Sequence, residues 1–347
     1  MLQTHSPLIS IVMPSHNSGE YLEVVIRSVL AQTYLHWELL IVDDASTDNT
    51  QAVVSRFADE RIRYIPAPER LGRPSKVRNL GIRNAKGDFI TFMDADDKYM
   101  ENALEVLLKP LLDNPALNAS MAFPYYCDSG LNPLYPQKNI VPLPEGGYQF
   151  HPDFRLDWKN ICSQRVSFFF CCTMFRKSTI ETLGPLDEEF ANGEDFVYHV
   201  KLLKLGLEKV HVIPTCTYWY RNHPGSITKN PERAFKNLET HVKIVNWLFS
   251  QKEIPRELHY LKAHNLSFRF ATVAMMLAKM NRRDLARQII SQARNHPEIP
   301  FKIWVKYFYK QVIRVNMPFG LMNLYSRYFG NDYRWFNQSS TPKQAQN

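Results

Sequence analysis

Asp94, Asp96 and Asp97 fall within four positions at the end of the apolar run 90–93. Ionised carboxylates this close repel, and each is better solvated by water. Crowding them at the end of a strand-like run calls for a compensating charge, and the simplest is a divalent cation. Mg²⁺ takes oxygen ligands, commonly one or two carboxylates, and fills its other positions with water and phosphate oxygens. A second acidic pair, Asp43-Asp44, ends the apolar run 38–42, and a third, Glu194-Asp195, opens a stretch with helical spacing. A carboxylate within reach of a hydroxyl can take its proton as a bond forms. The sequence thus offers cation binding and general-base chemistry together.

The elements around these residues place them at one edge. Short apolar runs at 9–13, 38–42, 61–65 and 89–93 alternate with helical patterns at 20–30, from a Ser46-Thr47-Asp48 cap through Val53, Val54 and Phe57, and at 75–85. This alternation predicts βαβ units, a mostly parallel sheet and helices on both faces. Ligands of such sheets bind outside the carboxyl ends of the strands. Those ends are Pro14-Ser15-His16-Asn17, Asp43-Asp44 and Asp94-Ala95-Asp96-Asp97. Each acidic group also has a plainer reading. Asp97 can cap a helix through Leu104 and Leu107, and Glu194 and Asp195 sit in a first helical turn. There the helix dipole favours an acid by about 0.3–1 kcal/mol. The Pro- and Gly-rich stretch 124–152 reads as loops and edge strands, 166–175 as a buried strand, and 217–229 as a strand running into a polar loop.

The totals bound the class. The 347 residues suffice for one large domain and a smaller one, and a 45% hydrophobic, 22% charged composition is that of a globular protein. No apolar run reaches membrane-helix length, and the first residues carry no signal-peptide pattern. Five cysteines with neither zinc nor disulfide spacing read as buried free thiols. The net charge of +8 is uneven: from Pro231 onward there are 19 basic and seven acidic residues. The expected division is therefore 1–230 and 231–347. The later part reads as helices at 238–249, 258–280, 285–293 and 301–315. In the last, Lys302, Lys306, Lys310 and Arg314 form a stripe beside Phe301, Trp304, Val305, Phe308 and Val312. Such a helix suits an anionic membrane surface, or it packs its aromatics and leaves its lysines in water. No nucleic-acid motif accompanies the charge.

The segments ISIVMPSHN, ELLIVDDASTDNT, VRNLGIRNAKGDFITFMDADD, NGEDFVYHVKLLKLG and YRNHPGSIT resemble, in order, the motifs of family 2 glycosyltransferases of the GT-A fold. The likeness covers residues 9–229. It implies a metal-assisted, inverting hexosyl or N-acetylhexosaminyl transfer from a nucleotide-sugar, UDP being the commonest donor. By that resemblance Pro14, Ser15 and Asn17 line the nucleotide pocket and Asp44 accepts from the base. Arg78 contacts the nucleotide. Asp94 approaches the ribose or the Mn²⁺ or Mg²⁺, Asp96 ligates the metal, and Asp195 is the base with Glu194 beside it. His223 and Ser226 belong to a loop over the diphosphate. His16 departs from the Tyr of many relatives. The acceptor is expected to be a glycan or lipid-linked glycan of the cell surface, met at the cytoplasmic face. The rival reading is a partner protein that binds nucleotide-sugar without catalysis; intact Asp96 and Asp195 argue against it. A dehydrogenase is disfavoured because no G-x-G-x-x-G follows the first run.

Overall fold

The structure is a computed structural model. It describes residues 6–190, 192–223 and 233–316, with backbone alone at 279 and 309–316. The first strands alternate with helices: β1 (Ile9–Ser15), α1 (Leu22–Leu30), β2 (Trp37–Asp43), α2 (Thr50–Val54), β3 (Ile62–Pro66), α3 (Pro74–Asn84) and β4 (Phe89–Phe92). All of β2 and β4 and all of β1 but Pro14 are buried, as strands covered on both faces must be. Pro74 opens α3 at a position where its missing N–H costs nothing. Gly81 lets α3 lie against the sheet: a Cβ there would come within 2.3 Å of Val12.

The chain continues through β5 (Lys98–Tyr99), α4 (Ala103–Asp113), β6 (Ala119–Cys127), β7 (Pro133–Pro136), β8 (Ile140–Pro142), β9 (Tyr148–Phe150) and α5 (Trp158–Cys162). Then come β10 (Thr173–Arg176), α6 (Lys177–Leu183), α7 (Glu194–Leu203) and β11 (Val210–Arg221). The main sheet runs β3-β2-β1-β4-β10-β6-β11-β5, with β7 on β6. Its β1–β4 core pairs in parallel, while β10 and β5 run antiparallel to their neighbours.

Three expectations change. β6 lies inside the sheet although Pro124 interrupts it; the ladder to β11 shifts register there, which absorbs the missing N–H. The apolar run 166–175 is mostly buried, but it is strand only from Thr173; a 3₁₀ turn spans Phe170–Cys172. A continuous apolar run reports burial, not conformation. Asp97 is not a helix cap: α4 begins at Ala103 after Asn102, and buried Asp97 instead accepts the Arg221 N–H at 2.7 Å. All five cysteines are buried and free.

Among the described residues four α-helices follow: α8 (Ala234–Phe249), α9 (Leu261–Lys279), α10 (Arg283–Arg294) and α11 (Phe301–Asn316). By contacts the chain forms two compact units, Met1–Asn265 and Leu266–Asn347. The first holds α8, whose Ile244 packs on Val197 and Phe190. Within the second, Phe308 is fully buried and Trp304 stacks on it at 5.6 Å, whereas Phe301 and Val305 are exposed. The sequence-predicted face of α11 is thus divided between core and surface. The side chains of Lys310, Val312 and Arg314 lie outside the described residues. Among the described residues no helix is long and apolar enough to cross a membrane.

Candidate active site

Helix α3, held close to β1, aims Arg78 across the sheet edge. Its Nη1 donates to Glu194 Oε1 at 2.6 Å and its Nη2 to Asp94 Oδ1 at 2.7 Å. Burial works against the guanidinium charge, but Asp94 and Glu194 outweigh it and hold the pKa above its ordinary value. One arginine therefore ties the end of β4 to the start of α7. Its Nε is buried without a partner among the described residues.

Asp195 stands next to this chain. Burial, then the charge of Glu194, push its carboxyl up to about 7; the Phe196 N–H and Arg78 oppose them. A carboxyl near 7 is placed for proton exchange at neutral pH. Buried His199, one turn on, donates from Nδ1 to the Asp195 carbonyl at 2.7 Å. Its Nε2 meets Thr173 Oγ1 at 2.8 Å and its ring stacks on Phe168 at 4.9 Å. Burial holds His199 down at about 4, so it is a neutral brace.

At the end of β4, Asp96 Oδ2 is 2.8 Å from His223 Nε2. Arg221 donates from Nε to the Asp96 carbonyl at 2.5 Å and from Nη1 to the Ser129 carbonyl at 2.7 Å, above the Tyr21 ring. The Asp94 N–H donates to the Tyr218 hydroxyl at 3.0 Å. Burial and the Asp94 charge raise the Asp96 carboxyl, against the pull of His223. Burial and both neighbouring aspartates lift Asp97 well above the carboxylate range.

Pro14, Ser15, Asn17 and Asp44, the residues expected at the nucleotide, form a second group, one strand over. Asp44 N–H donates to the Ser15 carbonyl at 2.8 Å, and His16 Nδ1 donates to the Asp44 carbonyl at 2.8 Å. The Asp44 carboxylate accepts from Leu71 N–H at 2.5 Å and Gly72 N–H at 3.0 Å. Two of its roughly four acceptor sites are used, so acceptor capacity remains. Asn17, in the left-handed region at φ 51°, accepts from Thr47 N–H at 2.8 Å. Ser15 Oγ is buried without a partner among the described residues, at the end of the strand that carries Pro14. Ser226 lies outside the described residues.

The structure therefore gathers Arg78, Asp94, Glu194 and Asp195 in one cluster and Asp96 with His223 beside it. Pro14, Ser15, Asn17 and Asp44 sit at the adjoining strand ends, since β1 lies between β2 and β4. Sequence reasoning missed Arg221, Tyr218 and His199. The first two share β11 with the polar loop it did single out, and the last shares a helix face with Asp195.

The donor set fits a hard cation. Asp94 and Asp96 each commit one oxygen to a cationic or imidazole partner, and the other oxygen has no side-chain partner among the described residues; both side chains are 36% exposed. Among the described residues no three His, Cys, Asp or Glu side chains are preassembled for a metal. Two carboxylates suffice for an ion that draws its remaining ligands from water and phosphate.

The fold is the GT-A fold of nucleotide-sugar transferases. It is shared with a mannosyltransferase of Pyrobaculum calidifontis solved with GDP-Man and Mn²⁺ (TM-score 0.55, 19% identity, 93% of this chain and 89% of that one). Residues 10–184 match the sequence family described as glycosyl transferase family 2, so the chain belongs to that family and is a glycosyltransferase. Among similar proteins, a UDP-Glc:α-D-GlcNAc-diphosphoundecaprenol β-1,3-glucosyltransferase, WfgD of Escherichia coli, is 30% identical over 238 residues, 66% of this chain and 83% of that relative. A putative teichuronic acid biosynthesis glycosyltransferase, TuaG of Bacillus subtilis, is 27% identical over 259 residues, 74% and 92% respectively.

Proposed function

We propose that this glycosyltransferase moves a sugar from a nucleotide-diphosphate donor, UDP-linked in the first instance, to an acceptor hydroxyl with inversion at the anomeric carbon. Asp195 takes the proton from the acceptor. Burial first, and then the charge of Glu194, itself locked to Arg78, keep the Asp195 pKa high enough for it to serve as a base near pH 7. Asp44, Pro14, Ser15 and Asn17 hold the nucleoside. Asp94 and Asp96 hold Mg²⁺ or Mn²⁺, with His223, and in sequence Ser226, over the diphosphate. A bound divalent ion supplies Lewis-acid stabilisation of the charge left on the diphosphate. Arg78 fixes Asp94 relative to the base before substrate arrives, which is the preorganisation electrostatic catalysis depends on. The observation that carries this reading is the Asp94–Arg78–Glu194 chain ending beside an Asp of raised pKa.

The relatives' names support a glycan of the cell surface, with a lipid-diphosphate-linked sugar as one acceptor. We place the donor and acceptor sites in 1–230. To the basic helical part, 231–347, we give contact with the acceptor or with an anionic membrane surface at the cytoplasmic face.

The test is a screen of nucleotide-sugars for hydrolysis and thermal shift, with Mn²⁺ or Mg²⁺. One donor should stabilise the protein only with metal. Asp195→Asn should lower transfer by about 10²–10⁴-fold, the usual worth of a general base, and leave the metal-dependent shift in place. Wild-type binding of a donor without turnover on any acceptor tried, equal to that of Asp195→Asn, would instead favour a binding protein.

A further inference from the structure

A recess lies outside the strand-end cluster. It is a cleft of about 710 Å³ between the start of α3, residues 188–190 and α8. That is within the range of small-ligand sites, about 300–1,000 Å³. Phe190 and Trp247 line it edge to face, with ring centroids 6.3 Å apart. Three cations from two elements line it as well: Arg73, Lys76 and Lys243.

These cations are available. Arg73 donates from Nη1 to the carbonyls of Glu188 at 2.5 Å and Glu189 at 3.0 Å, which fixes the guanidinium and leaves its other N–H groups. Lys76 has no acidic partner among the described residues. Lys243 pairs with Glu239 one turn back, both largely exposed, so the pair is weak. Of the two acids at the cleft, Glu188 already accepts from Asn79 Nδ2 at 2.9 Å, while the Glu189 carboxylate has no partner among the described residues. Three cations, one uncommitted carboxylate and two aromatic rings suit a phosphorylated sugar. Arginine and lysine take phosphate oxygens, the carboxylate accepts from sugar hydroxyls, and a ring offers an apolar face.

The cleft also adjoins the candidate base through the chain. Its 188–190 wall leads into α7, which opens with Glu194 and Asp195. Its α8 wall packs on the same turn: a Cβ on Gly193, at φ 76°, would lie 2.7 Å from Ile244 Cδ1. Asn79, next to Arg78, grips residue 186 through paired bonds of 2.8 and 3.0 Å. One helix, α3, thus sets both the catalytic cluster and this wall.

We propose that the cleft is the acceptor subsite and that it reads phosphate on the acceptor through Arg73, Lys76 and Lys243. Its role as an acceptor subsite rests on the transferase reading with Asp195 as base; the binding itself does not. The phosphate can come from a diphosphate link to a lipid or from a phosphodiester within a glycan.

Calorimetric titration of the full chain separates these cases. The probes are N-acetylglucosamine 1-phosphate, N-acetylglucosamine 6-phosphate, N-acetylglucosamine and inorganic phosphate, each with and without UDP and Mn²⁺. A sugar phosphate should bind more tightly than the sugar or phosphate alone, quench tryptophan fluorescence and resist displacement by UDP. Lys76→Glu/Lys243→Glu should weaken it at least tenfold, and the charge-removing Lys76→Gln/Lys243→Gln by less. Preference for the 1-phosphate supports a lipid-diphosphate source, and preference for the 6-phosphate a phosphodiester source. Failure of both sugar phosphates to bind, equal binding by the variants, or displacement by UDP overturns the proposal. If transfer fails in the donor screen while this binding persists, the function reading falls and the cleft stands.

Discussion

The sheet edge and the C-terminal helices carry charge in opposite ways. At the edge, Arg78 has a side chain only 8% exposed and spends both Nη groups on carboxylates from two distant elements. In the helices, Lys302 and Lys306 stand on exposed positions of α11 with Phe301 and Val305 in solvent beside them. Charges at the edge are desolvated and coupled, so each fixes the geometry and protonation of the next. Exposed charges interact weakly and are screened by salt. Single substitutions at the edge should therefore reach far, and those on α11 should change surface binding and little else.

The largest stability effect should come from Arg78→Met. It leaves buried Glu194 unpaired and frees Asp94, and breaking a buried pair on one side typically costs about 3–5 kcal/mol. The urea midpoint should fall accordingly, and metal-dependent donor binding should weaken with it. An unchanged midpoint would mean that the ion-pair chain does not hold β4 to α7, and the contrast between the two regions would fail.

A smaller effect sharpens the same contrast through pH. The Asp195 carboxyl sits at about 7, raised by burial and by Glu194. A base must be unprotonated, and below its pKa it is mostly protonated. Hence kcat/KM should fall about tenfold per pH unit below 7 and level off above it. The sign for stability is the reverse. An acid whose folded pKa is raised binds more protons folded than unfolded, so this group makes the protein less stable as pH rises from the ordinary carboxylate range through 7. Asp195→Asn should accordingly melt higher than wild type at pH 8 and lose that advantage at pH 5. A rate profile flat down to pH 5 would remove Asp195 from the role of base.

The sheet was legible because its signal is local. Runs such as 38–42 and 89–93 are bounded by helical patterns, and parallel strands buried on both faces must be apolar throughout. Their polar ends followed from the topology. Long-range irregularity was not legible. Pro124 argued against a strand at β6 until the partner's register shift accounted for it. Asp97 carried a cap's sequence signature yet is held by the Arg221 backbone, 124 positions away. The site residues that sequence reasoning overlooked, Arg221, Tyr218 and His199, reach Asp94–Asp97 or Asp195 largely through backbone atoms, with the Tyr218 hydroxyl also bonded to the Asp97 carboxyl, and no sequence pattern announces contacts over such separations.

The smallest stability change should come from Lys302→Glu/Lys306→Glu. Among the described residues neither lysine makes a salt bridge, and surface substitutions usually stay within about 0.5 kcal/mol, so the urea midpoint should barely move. Their expected effect is on binding: each lysine near an anionic bilayer contributes about 1 kcal/mol, and the exposed Phe301 and Val305 add apolar area at the same face. Co-sedimentation with vesicles rich in phosphatidylserine should be largely lost in the variant and weakened in wild type by high salt. Equal sedimentation of the two proteins would remove the membrane from this face of α11 and leave its lysines as ordinary solvated charge. A variant that unfolds more readily would show that these charges are coupled after all, and the two regions would then differ in burial alone.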